Sequence, residues 1–438
     1  MGIEIDVGAT PLEASTIQKM RVRILPFILL LYIVSFLDRL NIGFAALTMN
    51  QELGISSRQF GLLVGIFFIG YSIFEIPSNL ILHKVGARVW IARILIVWGI
   101  VAALTGFVRT VHQLYIARFL LGLAEAGYYP GILLYLTYWF RRREQAQAIA
   151  LFMTGIPVTN ILGAPISGII LDHVHWLGLS SWRWLLILEG MPAVIFGVLT
   201  YLLLPNCPAE ANFLTEGEKD WITTQLKSED DRKYETHQIS AAGALVHRRV
   251  WHLAIAALTT GAAFYAVFFW MPQIVKTLSD RYSNTQVGLL VMVPNVIGLL
   301  AMILVSRSSD RKLERRWHVA IPAMIAGIAC LMFGATHSIV LGVVFLSVAV
   351  GCVCSYQGPL WALPSEFLTG AGAAVGIALI TMFTNLGGFV GPYAVGFIRQ
   401  RTGSLYGALA AAGIILFIFA TLVLLLPGTA QRRLGTNG

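Results

Sequence analysis

Charge is the scarcest thing in this chain. Only 12% of its 438 residues are Asp, Glu, Lys or Arg, where a water-soluble globular protein carries about a quarter. Cysteine is rarer still, with four in all. Cys352 and Cys354 stand two apart inside an apolar run, and neither a metal-ligand spacing nor a disulfide framework can be drawn from the set. No His-Glu-x-x-His and no serine elbow motif is present, which leaves an enzyme reading without a nucleophile or a metal site. Long polar stretches are missing too, apart from residues 206–248, so a receptor or scaffold would lack its soluble domain.

What is there is apolar. Hydrophobic residues make up 57% of the chain, and mean hydropathy is +0.75. The formal charge of +9 is spread over short connections beside apolar runs, which argues for a lipid bilayer and against nucleic acid. A hydrocarbon core takes about 20 apolar residues per helical crossing. Such runs recur at 24–47, 60–82, 89–108, 113–138, 146–171, 183–204, 250–275, 285–306, 317–336, 338–363, 370–397 and 404–427. The expected architecture is therefore an all-α integral membrane protein of twelve transmembrane helices. Its layout is a tail over 1–23, a six-helix bundle over 24–205, a linker over 206–248, a second bundle over 249–428 and a tail over 429–438.

Orientation follows from the basic residues. With the amino terminus inside, 21 of the 31 Lys and Arg fall in inner segments and 7 in outer ones. Both termini are expected in the cytoplasm of a cell whose (inner) membrane holds the protein as a monomer. The linker carries Glu216, Glu218, Lys219 and Asp220, and 215–227 reads as a short amphipathic helix.

The halves echo each other at one offset. The connection after span two, Asn79 to Arg88, corresponds to that after span eight, Ser306 to Arg316, with His83 and Asp310 227 residues apart. Pro165 in Gly163-Ala-Pro-Ile-Ser-Gly168 and Pro392 in Gly387-Gly-Phe-Val-Gly391-Pro392 are again 227 apart. Duplicated six-helix bundles, pseudo-symmetric about a midplane substrate site, are an alternating-access design.

These motifs carry a resemblance. The chain is similar to the major facilitator superfamily, whose signature after span two is Gly-x-x-x-Asp-Arg-x-Gly-Arg-Arg. Asn79 and His83 depart from it, Lys84, Gly86 and Arg88 remain, and Asp310-Arg311 is kept in the second copy. Asp38-Arg39-Leu-Asn41, Gly122-Leu-Ala-Glu125-Ala-Gly-Tyr-Tyr-Pro130-Gly131 and Tyr135-Leu-Thr-Tyr-Trp139-Phe more narrowly resemble the anion:cation symporter family. That resemblance implies proton- or sodium-coupled uptake of organic anions such as tartrate, sugar acids, phthalate and other aromatic acids, with no cofactor. It implies that Lys84, Arg88, Asp310 and Arg311 brace the cytoplasmic gate, and that Tyr71 and Asn385 line the substrate cavity.

Ionisable groups inside spans cost at least about 2.5–3.5 kcal/mol on insertion scales and are functional candidates by default. The first half holds Asp38, Arg39, Glu75, Arg118, Glu125 and Glu189, whereas the second half's spans have none at midplane depth. At about 1.5 Å per residue, Asp38 and Glu125 fall near the midplane. Arg118 shares a face with Glu125, seven residues outward.

The expected roles are Arg118 for the substrate carboxylate, held by its planar fork, and Asp38 with Glu125 for the proton. Burial in low dielectric disfavours a charged carboxylate, as a proton carrier requires. Against this stands a purely architectural reading, in which Asp38–Arg39 or Arg118–Glu125 are permanent ion pairs. Arg39 either orients Asp38 or contacts the anion. Gln357 and Tyr265 join Tyr71 and Asn385 as candidate substrate contacts. Glu75 is expected to pair with Arg93 or to act in a gate, and Glu189 to be structural. The favoured function is proton-coupled import of a small organic carboxylate. Sodium coupling, export, and a membrane-embedded enzyme remain as alternatives.

Overall fold

The computed structural model describes residues 10–235, 241–279, 281–336, 338–364, 367–368 and 370–426. Side chains at 83, 142–143, 146, 230–235, 241–242 and 370–374 lie outside that description, as do both chain ends, including the tail at 429–438. Among the described residues there is no strand, and twelve helices are long and apolar enough to cross a membrane. In order these spans are Pro11–Glu52, Ser57–Leu82, Ala87–Thr105, Val111–Thr137, Gln147–His173 and Ser181–Leu203, then Arg248–Lys276, Asn284–Lys312, Arg316–Ala335, Ile339–Ala362, Val375–Thr402 and Leu405–Leu424. Large apolar side chains such as Leu80, Ile116, Leu202 and Leu304 are exposed on their outer faces, as a lipid-facing surface requires.

Span one starts at Pro11, well before the expected residue 24, because Thr10 caps Glu13 N and Pro11 occupies the first turn. Its added turns meet the linker helix Glu216–Glu235. There Glu218 accepts hydrogen bonds from Ser15 Oγ and Lys19 Nζ, both at 2.9 Å. Burial pushes the Glu218 carboxyl up, but the bonds from Lys19, Thr215 and Ser15 outweigh it and hold it at about 2. Arg141 lies 4.9 Å over the Trp221 ring, so this helix docks on the first half.

The duplication is visible in contacts. Ser56 and Ser283, 227 residues apart, each form a capping box, with Gln59 and Gln286, again 227 apart. Gly61 and Gly288 repeat the offset. A Cβ on Gly61 would sit 2.5 Å from Pro392 O, and one on Gly288 would sit 2.3 Å from Ala164 O and 3.0 Å from Pro165 Cα. Span two thus packs on span eleven as span eight packs on span five. These contacts lie at the ends of the spans remote from the linker, where Asp172 also crosses between the halves. Its carboxylate accepts from Asn284 N at 3.1 Å and from Thr285 N and Oγ1 at 2.7 Å, capping span eight.

Candidate functional site

Span four decides the geometry of the charged groups. Its helix runs to Glu125 and breaks at Ala126–Gly127, where Gly127 takes a left-handed φ of 83° that a side chain would resist. One turn earlier Gly122 approaches span two so closely that a Cβ would lie 2.1 Å from Phe67 O. This packing sets Arg118 behind the Phe67 ring, 4.9 Å from its centroid, with Arg39 at 5.4 Å from the same ring.

Arg39 pairs with Glu125 Oε1 through Nη2, and Ser35 Oγ donates to the same oxygen at 3.2 Å. Glu125 is fully buried, and its second oxygen has no described partner. Asp38 accepts from Asn41 Nδ2 at 3.0 Å, with Oδ2 unpartnered. Arg118 is 1% exposed, its Nε and Nη2 have no described partner, and both Asp38 and Glu125 lie within its electrostatic reach. Buried polar atoms are normally hydrogen-bonded, so these unmatched ones on Asp38, Arg118 and Glu125 make the group a candidate site.

Beside the cluster is a cavity between the halves, about 670 Å³ with its mouth included. Arg39 is the one charged residue in its lining among the described residues. Tyr71, Tyr265, Gln357 and Asn385 share that lining, and Tyr32, Tyr129 and Trp361 add aromatic surface. Tyr32 stacks on Phe152 at 4.1 Å. Met153, Gln357 and Thr381 in the lining stand about six residues from the linker-side ends of spans five, ten and eleven. The cavity therefore lies toward the linker side, while the remote side is packed shut.

The family model of the Major Facilitator Superfamily matches residues 28–392. The chain belongs to that superfamily. It is 45% identical to a protein of Agrobacterium vitis named "Putative tartrate transporter", over 99% of this chain and 96% of that one. A "Quinolone resistance transporter" of Acinetobacter baumannii is 33% identical over 96% and 97% of the two chains. The fold is shared with the xylose transporter XylE from E. coli, at a TM-score of 0.74, 16% identity, and coverage of 93% and 99%. This superfamily member is thus a multi-pass membrane transporter, and not an enzyme.

Against that frame the expected site residues divide. Arg39, Tyr71, Tyr265, Gln357 and Asn385 line the cavity, whereas Arg118, expected at the substrate, does not. The reason is the tight contact of spans two and four, which seals the Arg118 face behind Phe67. Neither expected ion pair is the one formed: Glu125 is held by Arg39 and Asp38 by Asn41. Glu75 binds Asn385 rather than Arg93, whose guanidinium lies 4.5 Å over Trp90.

On the linker side, Lys84 is exposed, and Arg88 N donates to Asn206 Oδ1 at 3.0 Å. Asp310, with its side chain 68% exposed, pairs with Arg315 in its own connection, and Arg311 is exposed. Glu189 accepts from Ser167 Oγ at 2.6 Å. Sequence reasoning missed Asp172. The signal was an acid at one end of span five and a Ser-Asn-Thr-Gln helix start at the same end of span eight, with nothing to say that the two meet.

Proposed function

We propose that the protein imports a small organic carboxylate together with a proton, by rocking its two halves about the midplane cavity. The observation that carries this is the Arg39–Glu125 pair: the one cation of the cavity wall among the described residues is held by a carboxylate fully buried behind it. An arriving substrate carboxylate competes for the Arg39 fork. Glu125 is then left without its cation, and an unpaired buried carboxylate is strongly disfavoured, so it takes up a proton. Asp38 and Arg118 form the second couple, with Arg118 compensating whichever acid is ionised. Anion and proton then cross together.

The positive-inside bias supports an inner-membrane setting with both termini and the linker in the cytoplasm, so that the cavity as described faces inward. The layout remains the two bundles over 24–205 and 249–428 around the 206–248 linker, working as a monomer. Lys84, Arg88, Asp310 and Arg311 act as the cytoplasmic gate in the opposite state, where Asp310 exchanges its Arg315 contact for partners on neighbouring spans.

Purified protein in proteoliposomes, given labelled mono- and dicarboxylates under an imposed inward proton gradient, tests the proposal. Accumulation is expected with protons and without sodium. No accumulation of any carboxylate would overturn it. Export is the second reading, favoured by the relative named for quinolone resistance, and it predicts uptake only when the gradient is reversed.

A further inference from the structure

The remote end of the molecule holds a cation that neither the cavity nor the coupling scheme uses. Arg399 lies in the last turn of span eleven, on the side where the positive-inside bias disfavours it. Arg401, in the same turn, is exposed and suits the helix dipole. Arg399 instead turns inward. It is half-buried, its Nη1 donates to Gln273 Oε1 of span seven at 2.7 Å, and its guanidinium carbon lies 5.6 Å from the Trp270 ring centroid.

No acid answers this charge among the described residues. The described acids of the remote end are committed elsewhere, Glu52 to Arg183 and Asp172 to the start of span eight. A guanidinium only donates, so it fixes the Gln273 amide with Oε1 on the arginine and leaves Nε2 as a second donor beside it. Gln273 is 7% exposed, and that Nε2 has no described partner. A buried N–H without an acceptor is exceptional. Here it adjoins an arginine without a carboxylate, and both lack the same thing, an anion.

The seam between the halves runs one turn deeper. Phe60 of span two meets the Trp270 ring edge-on at 5.0 Å, and a Cβ on Gly396 would sit 2.3 Å from Ser57 O. Arg399 and Gln273 both belong to the second half. When the halves part on this side, Ser57 and Phe60 leave with the first half and the pair of donors stays at the mouth that opens.

We propose that Arg399 and Gln273 form a remote-side anion site, which receives the substrate carboxylate as span two withdraws and passes it inward to Arg39. The proposal rests on the carboxylate reading above and adds a first binding step to it. The carboxylate takes the free edge of the guanidinium and the Gln273 Nε2 hydrogen, charge-assisted contacts of the kind Arg makes with carboxylates.

The test is KM and kcat for carboxylate uptake by the full chain in membrane vesicles of both orientations, with the acid side outside. For carboxylate supplied on the remote face, Arg399→Gln should raise KM about tenfold, the worth of one hydrogen bond to a charged group, with kcat within about twofold. For carboxylate supplied on the linker face, KM should change by less than about twofold, because the substrate then reaches Arg39 without passing Arg399. Arg399→Lys keeps the charge without the planar fork and should recover part of the remote-face loss. Gln273→Leu removes the amide and should raise the remote-face KM about threefold.

Equal KM changes on both faces, or a fall in kcat with KM unchanged, would overturn the proposal in favour of a purely architectural contact. So would an unchanged remote-face KM in Arg399→Gln and Gln273→Leu. These results leave carboxylate transport standing. Absence of any carboxylate uptake by the wild-type protein would overturn both readings together.

Discussion

Where the first half carries Asp38, Glu75, Arg118 and Glu125, the second half carries, 227 residues later in each case, Tyr265, Met302, Phe345 and Cys352. The same offset relates two capping boxes and two glycine contacts that agree in kind. The packing between the halves has thus stayed alike while the buried chemistry has diverged. A buried charge needs a counter-charge and hydrogen bonds to be tolerable. Concentrating Arg39, Arg118, Asp38 and Glu125 in one bundle meets that need with short-range partners. The other bundle contributes an uncharged wall of aromatics and amides to the cavity lining among the described residues.

The largest predicted effect tests this division directly. Arg39→Lys keeps the charge but loses the planar fork, and uptake of any carboxylate should fall by about 100-fold or more, as for misplaced reacting groups. Phe345→Leu and Cys352→Ala, at the positions equivalent to Arg118 and Glu125, should leave uptake close to wild type in the same assay. Comparable losses at both sets of positions would erase the contrast.

A second asymmetry lies at the remote end. Asp172 caps span eight with a carboxylate at 2.7 Å, whereas Gln400 faces the start of span two with an amide oxygen 3.5 Å from Arg58 N. A carboxylate at a helix start contributes about 0.3–1 kcal/mol, and up to ~2 when partly buried. Asp172→Asn should therefore raise the population open on the remote side by a factor of about 2–30. Spin labels at His175 and Arg281 would report this as growth of a longer-distance component. Gln400→Ala should barely move that distribution.

Where the halves agree, mutations should agree. Gly61→Ala and Gly288→Ala each force a methyl against backbone atoms, and overpacking of this kind costs typically about 1–3 kcal/mol. Thermal unfolding in detergent should show similar losses for the two, and a one-sided loss would break the symmetry of the interface.

The smallest effect concerns the linker helix Glu216–Glu235, which meets span one of the first half. Glu218 is held at about 2, below its ordinary value near 4.5. Its stabilisation of the linker helix is therefore fully present above about 4.5 and is lost as pH falls from there through 2. Glu218→Gln should make the linker easier to cleave by protease at neutral pH, with no change in uptake.

Much of this was legible in the sequence for physical reasons. A membrane span must be apolar over its whole length, so twelve crossings and the 206–248 break could be counted. Lipid also makes every buried charge conspicuous, which singled out Asp38, Arg39, Arg118 and Glu125. What stayed hidden was rotation and partnership. Depth along a helix placed Arg118 above Glu125, but only the Gly122–Phe67 contact shows that Arg118 is walled off and Arg39 faces the cavity. Glu75–Asn385 and Asp172–Asn284 join residues 310 and 112 positions apart, and no local pattern announces either.

The central claim is that Glu125 exchanges its hold on Arg39 for a proton when the substrate binds. It is tested most directly by Glu125→Gln in proteoliposomes, comparing carboxylate exchange at equal pH with accumulation driven by an inward proton gradient. The account predicts that exchange persists while gradient-driven accumulation is lost. Equal loss of both, or accumulation at the wild-type level, would contradict it.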